Sequence, residues 1–112
     1  MPPLLMTKLR NQITTAWKRR RSDELNISLK NVRINGDPRG CDGFIEHPAT
    51  GRIVYVNTEQ FTRPGLPETL YRTAKDTRDF HGGRNQFADA EELPEAIVDL
   101  LLADERHWVD AA

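Results

Sequence analysis

The chain has 112 residues, enough for one domain with its own core and too few for two independent ones. Its 16 Lys and Arg against 17 Asp and Glu leave a net charge of −1, which excludes a bulk polycation. A single cysteine, the lack of an apolar run near the about 18 residues of a membrane span, and only 7 glycines exclude a disulfide framework, a transmembrane chain and a collagen-like repeat.

Leu5, Leu9, Ile13, Ala16 and Trp17 recur as one stripe at helical spacing and predict a helix over 4–21. Lys18, Arg19, Arg20 and Arg21 close it, where cations complement the helix macrodipole. The period then changes from 3.6 to 2. Leu25, Ile27 and Leu29 alternate with polar neighbours, and Val32 and Ile34 continue on the opposite parity, which predicts a strand over 25–34 with a β-bulge near Lys30 and Asn31.

Residues 43–47 and 52–57 flank Pro48-Ala49-Thr50-Gly51, a four-residue hairpin connection ending in Gly. That register sets Ile45 against Val54 and Phe44 against Tyr55, on opposite faces, so neither face is cleanly polar. A fourth strand is expected at 69–74. Leu93, Ile97, Leu100, Leu101 and Trp108 form a second helical stripe, and Pro94 at a first helical position sets the expected helix at 94–108. A start at a capping turn of Asp89 with Glu92 is the less favoured alternative, because Pro94 would sit deeper. Helix, three to four antiparallel strands and helix predict a two-layer α+β single domain over 1–112.

The near-zero net charge is a cancellation. Residues 1–33 sum to +6 (8 − 2), residues 34–88 to zero (7 − 7) and residues 89–112 to −7 (1 − 8). Two oppositely charged helices at the chain ends suit electrostatic recognition of a macromolecule. The leading expectation is therefore a small non-catalytic interaction or regulatory protein with a protein partner. Its expected contacts are Arg78, His81, Gly82, Gly83 and Arg84 in an aperiodic loop, and Glu95 and Asp99 on the acidic helix. Gly82 and Gly83 suit an anion-binding backbone nest beside Arg78 and Arg84. Head-to-tail association of two copies through the opposed helices is a further expectation.

The alternative is nucleic-acid binding through Arg10, Lys18, Arg19, Arg20 and Arg21. The αβββα order resembles that of double-stranded-RNA-binding domains in topology alone, and Asp89, Glu91, Glu92 and Glu95 stand where those domains carry a Lys-rich cluster, which excludes the assignment.

A second alternative is a small enzyme with a site around His81, paired with Asp79 or with Cys41. Cys41 and His47 sit at opposite ends of one expected strand, and His47, His81 and His107 have no metal-ligand spacing. Neither metal nor cofactor is expected. Phe44, Ile53 and Tyr55 share a face expected to lie under the long loop at 58–68 or at 76–88. The N-terminal apolar stretch ends at Lys8, short of a secretory core, and the lone Cys41 favours no oxidising compartment, so a cytoplasmic location is expected.

Overall fold

A computed structural model describes residues 5–33, 42–58, 69–80, 82 and 84–103. Helix α1 (Met6–Arg21) buries Met6, Leu9, Ile13, Ala16 and Trp17, the apolar stripe of its sequence. Ser22 ends it in the left-handed region at φ 60°, donating its backbone N–H to the Lys18 carbonyl at 3.0 Å. Strands β1 (Ser28–Arg33), β2 (Asp42–His47), β3 (Arg52–Asn57), β4 (Thr69–Ala74) and β5 (Gln86–Ala88) follow, then helix α2 (Leu93–Leu102). All four strand pairings are antiparallel and join sequence neighbours, so the sheet is a five-stranded meander. The result is an α+β single domain, and its 13.2 Å radius of gyration matches the about 13 Å of one globule this long.

The inner face of the sheet packs on the helices. Ile45, Val54, Val56 and Tyr71 meet Leu9, Ile13, Ile97 and Leu101 in the main core. The outer face carries a second, smaller core of Phe44, Ile53, Tyr55 and Leu70. The β2–β3 register pairs Ile45 with Val54 and Phe44 with Tyr55, as the hairpin connection requires. Both faces are therefore apolar along β3, and both need covering.

In β1 the register shifts between Lys30, opposite Phe44, and Arg33, opposite Asp42. Asn31 and Val32 thus share one partner, Gly43, and Asn31 adopts φ 46°. The change of apolar parity along this segment has that bulge as its physical cause.

Several boundaries differ from expectation. Leu25 and Ile27 are buried but precede the ladder, because their alternation serves the main core rather than strand pairing. The sheet has five strands where three to four were expected: Thr69 Oγ1 donates to the Ala88 carbonyl at 2.7 Å and helps hold the short β5 in a stretch without periodicity. Helix α2 starts at Leu93. The Asp89 carboxylate accepts the Glu92 N–H at 2.8 Å and the Asp89 carbonyl accepts the Leu93 N–H at 3.0 Å, so the Asp89 turn forms and Pro94 still falls in the first helical turn. The described helix ends at Leu102; the remainder of the expected 94–108 span, with Ile34, Cys41, His81, Gly83, His107 and Trp108, lies outside the described residues. Arg52 closes the α2 C-terminus, donating from Nη1 to the carbonyls of Leu101 and Ala103, in a helix with no basic residue in its last turn. No helix among the described residues is long and apolar enough to cross a membrane.

Gly43 is the tightest point of the bulge. A Cβ there would lie 2.9 Å from Val32 Cα, and backbone cannot rotate away. Gly43→Ala is expected to destabilise the domain by about 1–3 kcal/mol in urea unfolding. An unchanged midpoint would show that the bulge does not need this approach.

Candidate functional site

The oppositely charged helix ends meet inside one molecule. Arg20 forms a close ion pair with Asp99 and lies 3.7 Å from Glu95, and Arg19 reaches Glu95 at 3.7 Å. Glu95 and Asp99, expected to face a partner, are thus engaged by α1. These groups are exposed, and each pair contributes about 0–1 kcal/mol.

The cations of α1 do not form one strip. At about 100° per residue, Lys8 and Arg10 point about 160° apart. Arg21 turns to Asp23, with its Nε 3.6 Å from Oδ1, and its guanidinium lies 5.5 Å from the Trp17 ring centroid. Lys8, Arg10 and Lys18 are exposed and carry no ion pair among the described residues.

On the outer face, Phe44, Tyr55 and Arg72 form a row across β2, β3 and β4. Arg72 is 1% exposed, the largest wholly buried side chain described. Its guanidinium lies 4.6 Å from the Tyr55 ring centroid, its Nη1 is 3.7 Å from Asp79 Oδ2, and its Nη2 donates to the Asp79 carbonyl. Burial pulls the Arg72 pKa below its ordinary value, and the charge of Asp79 opposes that shift.

Asp79 also organises its own loop. Its Oδ2 accepts the Lys75 N–H at 3.1 Å and its Oδ1 accepts the Gly82 N–H at 2.7 Å. A Cβ on Gly82 would stand 2.5 Å from Oδ1. The backbone N–H expected to help cradle a foreign anion thus holds the chain's own carboxylate. Asp79, considered as an acid–base partner for His81, is committed to a guanidinium and two backbone N–H groups.

Phe80 covers the rest of the face. It stands edge-on to Phe44 at 5.0 Å and to Tyr55 at 5.8 Å, and the Arg33 guanidinium stacks 4.4 Å from its ring centroid. Beneath it, the wholly buried Asp42 accepts hydrogen bonds from Arg33 Nε at 2.7 Å, from Arg33 Nη2 and from the Tyr55 hydroxyl at 2.9 Å. Asp42 raises the Arg33 pKa, while burial first and Asp42 second raise that of Tyr55. Asn31 Nδ2 donates to the Thr77 carbonyl, so the bulge in β1 ties down the same loop. The aromatic face is therefore buried, and the loop presents Lys75, Arg78 and Arg84 outward, exposed and without ion pairs among the described residues.

Chemistry-bearing groups are otherwise sparse. No cluster of three or more His, Cys, Asp or Glu among the described residues has the geometry to hold a metal ion. Sequence reasoning considered His47 as a partner for Cys41 and as a metal ligand, and favoured neither. In the fold its ring packs edge-on against Trp17, with centroids 5.8 Å apart, and its buried Nδ1 has no hydrogen-bond partner. The only sequence signal was a polar aromatic residue at the end of a hairpin strand. Comparison with protein-family models, with curated proteins and with solved structures finds no match.

Burial holds the His47 pKa below its ordinary value of 6.5; contact with its own backbone opposes that shift, and the charge of Arg52 adds a smaller lowering. The unfolded chain takes up that proton first, so the contribution to stability is complete above pH 6.5 and is lost as pH falls through the lowered folded value. Between about pH 7 and pH 5.5, the urea midpoint should fall more steeply for the native chain than for His47→Gln. Equal slopes would contradict the burial.

Proposed function

We propose that this chain is a small non-catalytic interaction protein that recognises an acidic surface of a protein partner through Lys75, Arg78 and Arg84 and the adjoining Arg33. The observation that carries this reading is the pairing of a fixed loop with unpaired charge. Asp79, Phe80 and Thr77 tie the loop to the sheet, yet Lys75, Arg78 and Arg84 carry no ion pair among the described residues. A pre-ordered cationic surface loses little conformational entropy on binding, and its charge steers an acidic partner.

The seam of Arg19 and Arg20 with Glu95 and Asp99 favours this loop over the two helices as the recognition surface. It also leaves less of the α1 cation cluster for phosphates and less opposed charge for head-to-tail self-association. The proposed setting is cytoplasmic, where a lone Cys41 stays reduced.

The test is affinity capture from lysate at about 50 mM and 500 mM salt, with native chain, the double variant Arg78→Glu/Arg84→Glu, and Lys8→Glu/Lys18→Glu. The native chain and the α1 variant should retain one salt-sensitive protein that the loop variant binds about tenfold more weakly or not at all. Retention by the loop variant, or release by nuclease together with loss in the α1 variant, would contradict the proposal; the latter result is that of a nucleic-acid binder.

A further inference from the structure

The sheet ends on two unlike edges. The β1 edge is guarded. It carries the exposed Lys30, and the bulge at Asn31 interrupts the row of outward N–H and C=O groups that a further strand would need. At the other edge, β5 pairs with β4 alone among the described residues, in an unbroken register of Thr69 with Ala88, Leu70 with Phe87 and Tyr71 with Gln86. Alternate residues of such a strand turn their N–H and C=O groups away from the sheet. No proline, lysine or bulge guards them in β5.

Phe87 stands at the middle of this open edge. It is 49% exposed, the one exposed large hydrophobic side chain among the described residues, and its cross-strand neighbour is the outer-face Leu70. Charge is sorted to either side of it. Arg84 precedes the strand, and Asp89, Glu91 and Glu92 follow it; all are exposed and without ion pairs among the described residues. An antiparallel pairing about a two-fold axis at Phe87 sets each Phe87 against its counterpart and Gln86 against the second copy's Ala88. Arg84 then approaches the turn at 89–92 of the second copy. The cationic end of each strand meets the acidic end of the other, so this edge is complementary to itself, as an isologous interface requires. The two Phe87 rings cover each other, with a Leu70 flanking each.

We propose that two copies of this chain pair side by side through β5, antiparallel about Phe87, into one continuous sheet. The contact is distinct from a head-to-tail one between the helices. It does not depend on the acidic-partner reading, since Arg33, Lys75 and Arg78 lie outside β5 and the turn that follows it.

The test is sedimentation equilibrium of the full chain from about 1 µM to 1 mM in about 50 mM salt, with amide NMR shifts followed over the upper part of that range. A short strand and one aromatic pair make a weak dimer, with an expected Kd of about 100 µM or tighter, and the shifts should centre on residues 84–90. Phe87→Lys sets two ammonium groups face to face across the axis and should weaken the dimer at least about tenfold, with an unchanged melting temperature at about 1 µM, where both chains are monomers. Arg84→Glu and Ala90→Lys should each weaken it about threefold or more, and the two together should restore it, because the charges are exchanged across the axis. A monomer at about 1 mM, a Kd unmoved by Phe87→Lys, or a combined variant no tighter than either single one would overturn the proposal. The monomer result would leave the acidic-partner reading standing, since capture of that partner is measured separately.

Discussion

Arg72 sits on the sheet face opposite the helices, and a guanidinium buried there must be met by a carboxylate and by carbonyl oxygens. Asp79 supplies both, through its side chain and its main chain. Once Asp79 is drawn to Arg72, the rest of the loop has little choice. Lys75 and Gly82 donate their N–H groups to the same carboxylate, and Phe80 follows into the aromatic cluster. The pair is weak evidence for stability, since burying two charges costs about as much as their attraction returns. Its consequence is positional: the loop can close over the sheet in one way.

That closure answers a difficulty already present in the hairpin. Phe44 and Tyr55 on one face and Ile45 and Val54 on the other cannot all be covered by two helices on one side of a sheet. A second cover is required, and the bulge at Asn31 helps fasten it by aiming the Asn31 amide at the Thr77 carbonyl. Arg33 follows the same logic from the edge strand, joining the buried Asp42 to the outer ring of Phe80.

Much of this was legible in the sequence where the information is local. The hairpin register follows from its turn and its alternation, and the bulge follows from a parity change across Lys30 and Asn31. The alternation of Leu25 and Ile27 misleads, because burial under helices imposes the same spacing without a ladder partner. β5 was illegible: three residues carry no period, and Phe87, 49% exposed, gives no inward signal. Long-range pairings left no trace either. Arg20 meets Asp99 across 79 positions, and nothing local distinguishes Arg72 as the buried cation from Arg78 as an exposed one. The Gly-rich loop was visible as a special stretch, but its physics inverted: Gly82 leaves room for Asp79 rather than for a foreign anion.

The sequence-wide charge balance also changes meaning in three dimensions. The +6 and −7 ends are partly spent on each other at the α1–α2 seam; the cations without ion pairs among the described residues include Lys8, Arg10 and Lys18 on α1 and Lys75, Arg78 and Arg84 from the electrically neutral middle of the chain. Closure of the outer face rests on Arg72 and Asp79 acting as a unit. A double-mutant cycle of Arg72→Met and Asp79→Asn by urea unfolding tests this directly. Coupling of at least about 1 kcal/mol is predicted, with each single change more costly than half of the double one. Additivity within about 0.5 kcal/mol would contradict it.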